Sequence, residues 1–270
     1  MTSYHDFSRQ ILEGQNLDDK LLSTPLDWED HKNFSLPARP GRCDRLRFSD
    51  KVQKFPRASS LSQTDKKAMA LHSFANHELL AIEMMAAALL IYPHQSDDQL
   101  RFKKGVLTSL KDEQKHLRLY IGRIEELGYQ FGDFPLNDYF WRQMPKLETP
   151  AQYAAVMALT FEAANLDFAG YYADVFRSSG DLRTAALMDV VLEDEISHVA
   201  LGANWMKKWR GDKGLWEYYR ECLPHPMTPA RARGIYYRPE VHQAAMSDES
   251  FVQSLSSYED DFLITKRARA

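Results

Sequence analysis

Asp112-Glu113-Gln114-Lys115-His116 and Asp194-Glu195-Ile196-Ser197-His198 spell one pattern, DExxH, twice in the chain. Helical residues three positions apart share a face, so Glu113 and His116 point at one spot, and Glu195 and His198 at another. Around the first pair the same face carries Val106, Leu110, Tyr120 and Ile124; around the second it carries Leu187, Val191, Gly202 and Trp205. Each pair interrupts an apolar row. Two further rows contain one acid apiece: Leu71, Phe74, Glu78, Ile82, Met85 and Leu89, then Ala155, Leu159, Glu162, Leu166 and Ala169. A carboxylate in a core costs several kcal/mol unless it is paired, protonated or bound to a cation. Four acids converging with two imidazoles would repel one another, and two divalent ions would cancel four negative charges. Glu78, Glu113, His116, Glu162, Glu195 and His198 are therefore the predicted ligands of two metal ions, one Glu from each of two helices and Glu-x-x-His from each of the others.

The helices carrying these rows have legible ends. Residues 63–92 are rich in Ala, Leu, Met and Glu, lack Gly and Pro, and stop at Pro93. Ser96 and Gln99 form a capping box for a second helix that runs to Leu127 before Gly128. After a 22-residue connection containing Pro135 and Pro145, Thr149, Pro150 and Gln152 supply a cap, a first-turn proline and a capping-box partner. This third helix runs to about Ser178, Gly180 breaks it, and a fourth runs from Asp181 to just before Gly211. Helices of about 30 residues are roughly 45 Å long. Two tight hairpins and one long crossover predict an all-α fold, an up-and-down four-helix bundle. Glu78 and Glu113 lie 35 residues apart and Glu162 and Glu195 lie 33 apart, with midpoints in or beside the hairpin loops, so partners sit at equal height. Residues 1–62, with PARPGR, FPRASS and a short helix near Phe7 to Glu13, read as an extended arm wrapping the bundle of residues 63–210. Residues 211–270 read as a helical extension, with helices at Leu215 to Cys222 and Pro239 to Ser256 around Pro224, Pro226 and Pro229. The whole is read as one domain.

Composition narrows the class. In 270 residues, 34 basic and 38 acidic side chains leave a formal charge of −4, and 44% of residues are hydrophobic. Such a chain buries a sufficient core without disulfides or a structural metal. Cys43 and Cys222, far apart, exclude a disulfide framework and a thiolate zinc site and point to a reducing compartment, the cytoplasm. The N-terminus lacks the basic start and apolar run of a signal peptide. The longest apolar run, Met84 to Tyr92, has 9 residues, against about 20 for a membrane span. Between Arg39 and Arg57 there are seven Lys/Arg and two Asp, a local excess of 7 − 2 = 5, read as a solvated basic arm on an acidic body rather than a phosphate-binding surface.

Other residues flank the predicted centre. Glu83 and Asp167 each follow a row acid by five residues, so HELLAIE (77–83) and FEAANLD (161–167) align as halves of an internal duplication. Five residues turn a helix by about 500°, about 140° off the ligand face. That favours Glu78 and Glu162 as ligands and leaves Glu83 and Asp167 as second-shell acids, replacement ligands or helix-surface acids. Asp112 and Asp194 are placed to accept the second N–H of a ligand imidazole, crossing to His198 and His116 respectively. Tyr120, one turn after His116, is a core residue or a redox group.

At HELLAIE, DEQKH, FEAANLD and DEISH the sequence resembles the ferritin-like di-iron carboxylate superfamily. More narrowly it is similar to a bacterial ferritin-like family of unknown function, with a PxRPxR-like arm at Pro37 to Arg42 and a PARxRG-like segment at Pro229 to Gly234. The resemblance implies a ferritin-like four-helix bundle, with the arm and the C-terminal helices added to it, and a metal pair. Oxygen-rich ligands with one imidazole per ion suit iron, as Fe/Fe or Mn/Fe, better than structural zinc. The expectation is an oxidase or oxygenase using O2 on an unidentified organic substrate, a small molecule or a modified tRNA nucleotide. An electron-donor protein is a candidate partner, no membrane is involved, and the state is a monomer or small homo-oligomer. Arg231, Arg233, Arg238 and the basic arm motivate the tRNA branch. The alternative is a ferroxidase or iron-handling protein without an organic substrate.

Overall fold

The computed structural model describes residues 3–24, 27–28, 33–51 and 53–260. Among these the fold is all-α, with no strand and two isolated β-bridges, Ser3 to Asp27 and Phe48 to Leu136. The chain divides into two compact units, Met1–Glu148 with Val175–Leu187, and Thr149–Asp174 with Met188–Ala270.

The first unit is built on α1 (Tyr4–Glu13), α2 (Leu17–Lys20), α3 (Thr64–Ile91) and α4 (Asp97–Glu126). Ser96 accepts from the Gln99 amide while the Gln99 side chain takes the Ser96 N–H, so the capping box read from sequence starts α4. Gly128, at φ 84°, turns the chain out of α4 in a conformation that only glycine adopts cheaply. α3 packs along α4 and is also covered by α1, α2 and the 3-10 turn Trp141–Lys146. That cover explains why α3 is apolar on nearly every face. By length and composition α3 would pass for a membrane span, yet 89% of its apolar window lies inside the protein. It is a core helix.

The second unit carries α5 (Pro150–Val156), α6 (Ala163–Ser178), α7 (Leu182–Trp209), α8 (Leu215–Cys222), α9 (Pro239–Met246) and α10 (Glu249–Ser257), the first residues of α7 and last of α6 belonging to the other unit. Thr149, Pro150 and Gln152 start α5 as the sequence predicts. Two expectations need correcting. The third helix is not a continuous α-helix: Met157–Glu162 form a π-helical turn between α5 and α6. The predicted last helix is two, because Ser247 takes a left-handed φ of 49° and the Asp248 side chain caps a fresh start by accepting from the Phe251 amide. The core of this unit gathers Ala155, Leu159, Leu166, Val199, Met206, Tyr219, Met246 and Phe251 from all of these helices and the π turn.

Asp181 shows how one residue ends one helix and starts the next. Its carboxylate accepts from the Thr184 amide at 3.0 Å, from the Thr184 hydroxyl at 2.8 Å and from Arg123 at 3.0 and 3.1 Å, and it also meets Lys67. Burial alone would raise its carboxyl pKa, but Lys67, Thr184 and Arg123 outweigh that and hold it well below the usual range. A depressed pKa contributes stability above the ordinary carboxylate value and loses it as pH falls. Asp181→Ala is expected to cost about 1–2 kcal/mol at pH 7, and the gap to wild type in urea unfolding should shrink as the pH is lowered below about 4.

Candidate metal centre

In the first unit α4 presents Glu113 and His116 on one face, and α3 brings Glu78 against them. His116 Nδ1 lies 3.6 Å from Glu113 Oε2 and 3.7 Å from Glu78 Oε2. In the second unit α7 presents Glu195 and His198 the same way, with His198 Nδ1 3.5 Å from Glu195 Oε2, and Glu162 is the last residue of the π turn. Within each triad one ligand atom per residue lies within 4.8 Å of the others, and none of the six side chains is more than 5% exposed. These groups could hold metal ions. Asn165, one turn after Glu162 on α6, donates its amide to Glu195 Oε1 at 2.8 Å. It was not predicted, although the spacing of three from Glu162 places it on the same face.

The electrostatics of the first triad demand positive charge. Burial and the neighbouring Glu113 carboxylate push the Glu78 carboxyl well above its ordinary range. Burial works against the charged form of His116, but Glu113 and Glu78 overcome it and push the imidazole up to about 11. The triad thus holds a proton tightly where a metal cation would serve the same purpose.

The other predicted residues are placed as follows. Glu83 is fully buried and answers the arm: Arg42 donates to it twice, at 2.6 and 3.1 Å, and Lys20 Nζ lies 3.3 Å away. It is therefore not a helix-surface acid. Asp167 is equally buried and holds the C-terminal extension, accepting from the Gly234 and Arg238 amides at 2.8 Å each, with His242 Nε2 at 3.2 Å. Gly234 has to be glycine, since a Cβ there would stand 2.5 Å from the Asp167 Cβ. Asp112 lies 3.6 Å from Lys115 on its own helix, and Asp194 is half-buried on α7. Tyr120 is core, its ring 5.8 Å from that of Phe74.

Several of the arginines that suggested a nucleic-acid surface are exposed and have partners within the chain. Arg39, Arg45 and Arg47 lie within ion-pair distance of Asp138, Asp133 and Asp44. Arg233 donates to the Ser256 and Tyr258 carbonyls, and Arg238 lies 3.5 Å from Glu240. Removing a buried counter-charge is costly, so Glu83→Ala, which strands Lys20 and Arg42, is expected to lower the unfolding free energy by about 3–5 kcal/mol. Denaturant unfolding checks this, and a loss below about 1 kcal/mol would mean that the arm is held some other way.

Comparison with known proteins adds kinship without chemistry. A Haemophilus influenzae protein described as uncharacterized is 26% identical over 161 residues, 58% of this chain and 56% of that one. The chain thus spans little more than half the length of that relative. No solved structure matches. The broader match covers residues 3–252, and on that evidence the chain belongs to the family described as Protein of unknown function (DUF455).

Proposed function

We propose that each triad holds one ion of a ferritin-like metal pair, and that the protein is an oxidoreductase using O2 to oxidise or hydroxylate a small organic substrate. What supports this is repetition: each unit gathers two glutamates and a histidine, nearly closed to water, from the same plan of one row acid plus Glu-x-x-His. The donors are oxygen-rich with one imidazole per triad, which fits iron, as Fe/Fe or Mn/Fe, better than structural zinc. When bound, such a pair supplies electrons to O2 and Lewis acidity beside the substrate. Glu78, Glu113 and His116 would hold one ion and Glu162, Glu195 and His198 the other. The chain's own work is to keep these six donors apart from water, and Asn165 orients the Glu195 carboxylate through a 2.8 Å hydrogen bond. Hydroxylation places one oxygen atom in the substrate and reduces the other to water, which takes two further electrons and two protons, so an electron-donor protein is part of the proposal. A small molecule is preferred to tRNA because most of the arginines at issue already face acids or carbonyls within the protein. Both cysteines are free thiols, in keeping with a cytoplasmic setting.

Two measurements test this. Glu113→Gln and His198→Gln, one in each triad, should each reduce the iron retained after anaerobic Fe(II) loading; unchanged metal content in both variants removes the basis for the centre. Wild-type protein loaded with Fe(II) and mixed with O2 should consume O2 with a rapid optical change. Bound metal without O2 consumption would make the centre structural, and growth of ferric particles would indicate iron handling instead.

A further inference from the structure

The turn that delivers Glu162 is wider than an α-helix allows. Across Met157–Glu162 the pattern is π-helical, and the Ala163 N–H reaches back five residues to the Ala158 carbonyl. Such turns occur mostly as single insertions within α-helices and persist where the surroundings hold them. Nothing in Met-Ala-Leu-Thr-Phe-Glu asks for one; these residues are compatible with an ordinary helix. The cause lies in what surrounds the turn.

Two features of the second unit hold it open. The Thr160 hydroxyl donates to the Ala155 carbonyl at 2.8 Å and lies 2.8 Å from the Tyr219 hydroxyl. A threonine hydroxyl has one proton. With that proton given to Ala155, Tyr219 must be the donor in the second bond. Tyr219 is suited to this: it is fully buried on α8, burial holds its hydroxyl protonated, and its ring packs against Phe251 and Trp216. The second feature is a notch in α7. Gly202, one turn after His198, faces the bulge, and a Cβ at that position would stand 2.2 Å from the Ala158 Cβ and 3.1 Å from Leu159 Cδ1. The wide turn therefore has a side chain pinning it from α8 and a missing side chain accommodating it on α7.

We infer that Thr160 and Tyr219 are positioning residues for the metal centre: their hydroxyl pair holds the π turn and so sets where the Glu162 carboxylate stands relative to Glu195 and His198. The C-terminal extension thereby has a task beyond covering the core, since α8 carries the donor. This inference rests on the metal-pair reading given above. It assigns to Gly202 the role of admitting the turn, and to Thr160 a hydroxyl whose loss cannot be offset by an isosteric methyl group.

The test uses the full chain with Co(II) as probe. Wild type, Thr160→Val, Thr160→Ser and Tyr219→Phe are titrated anaerobically while the visible ligand-field bands are followed, and the metal-free proteins are compared by amide hydrogen exchange across residues 157–163. Partners that orient a metal ligand typically change affinity by about 10- to 100-fold when removed. Thr160→Val and Tyr219→Phe should weaken one of the two Co(II) ions by that factor, alter its bands and speed exchange through the turn. Thr160→Ser should restore all three. Wild-type affinity and bands in both disrupted variants would overturn the positioning role while leaving the metal reading intact. Absence of Co(II) binding by wild type would overturn the metal-pair reading itself, and the inference with it. Should Thr160→Val fail to fold, Tyr219→Phe removes a single oxygen from a ring otherwise fixed by its neighbours and decides the matter alone.

Discussion

An ionised carboxylate among apolar side chains is costly, and this molecule is organised around answering that cost. Six acids are buried on the long helices: Glu78, Glu83, Glu113, Glu162, Asp167 and Glu195. Leaving any one uncompensated would cost several kcal/mol, comparable with the whole stability of a typical domain. The molecule answers them in two ways. Glu83 and Asp167 meet protein groups, Arg42 and Lys20 in one case and backbone amides with His242 in the other. The other four stand in triads with His116 and His198, where an imidazole supplies only part of the charge needed.

The two kinds of answer recur with one spacing in both units. In each half an acid on the apolar row belongs to a triad, and an acid five residues later fastens a flank. Glu83 fastens the N-terminal arm and Asp167 the C-terminal extension. The 140° turn between the two positions separates the roles: one side of the helix faces the triad and the other faces the covering segment. The flanks are thereby fixed to the same helices that carry Glu78 and Glu162.

The helix ends and the triad residues were legible because their signals are local. Ser96 with Gln99, Thr149 with Gln152, and Glu-x-x-His all act within one turn. What was not legible depends on partners remote in sequence. Arg42 lies 41 residues from Glu83, and Gly234 lies 67 from Asp167. The π turn was missed for the same reason: its sequence is helical, and the hydroxyl that holds it comes from Tyr219, 59 residues beyond Thr160. The split between α9 and α10 differs, since the Asp248 cap is local but sits within a helical pattern that continues on both sides of it.

The all-round apolar character of α3 has a consequence for biogenesis. A segment of that apolar character is prone to stick to other chains while it is still unfolded. Because α1 and α2 precede α3, the ribosome releases that part of its cover first, and α4, its main partner, follows directly. Chain order thus shortens the interval during which the most adhesive stretch of this protein stands bare.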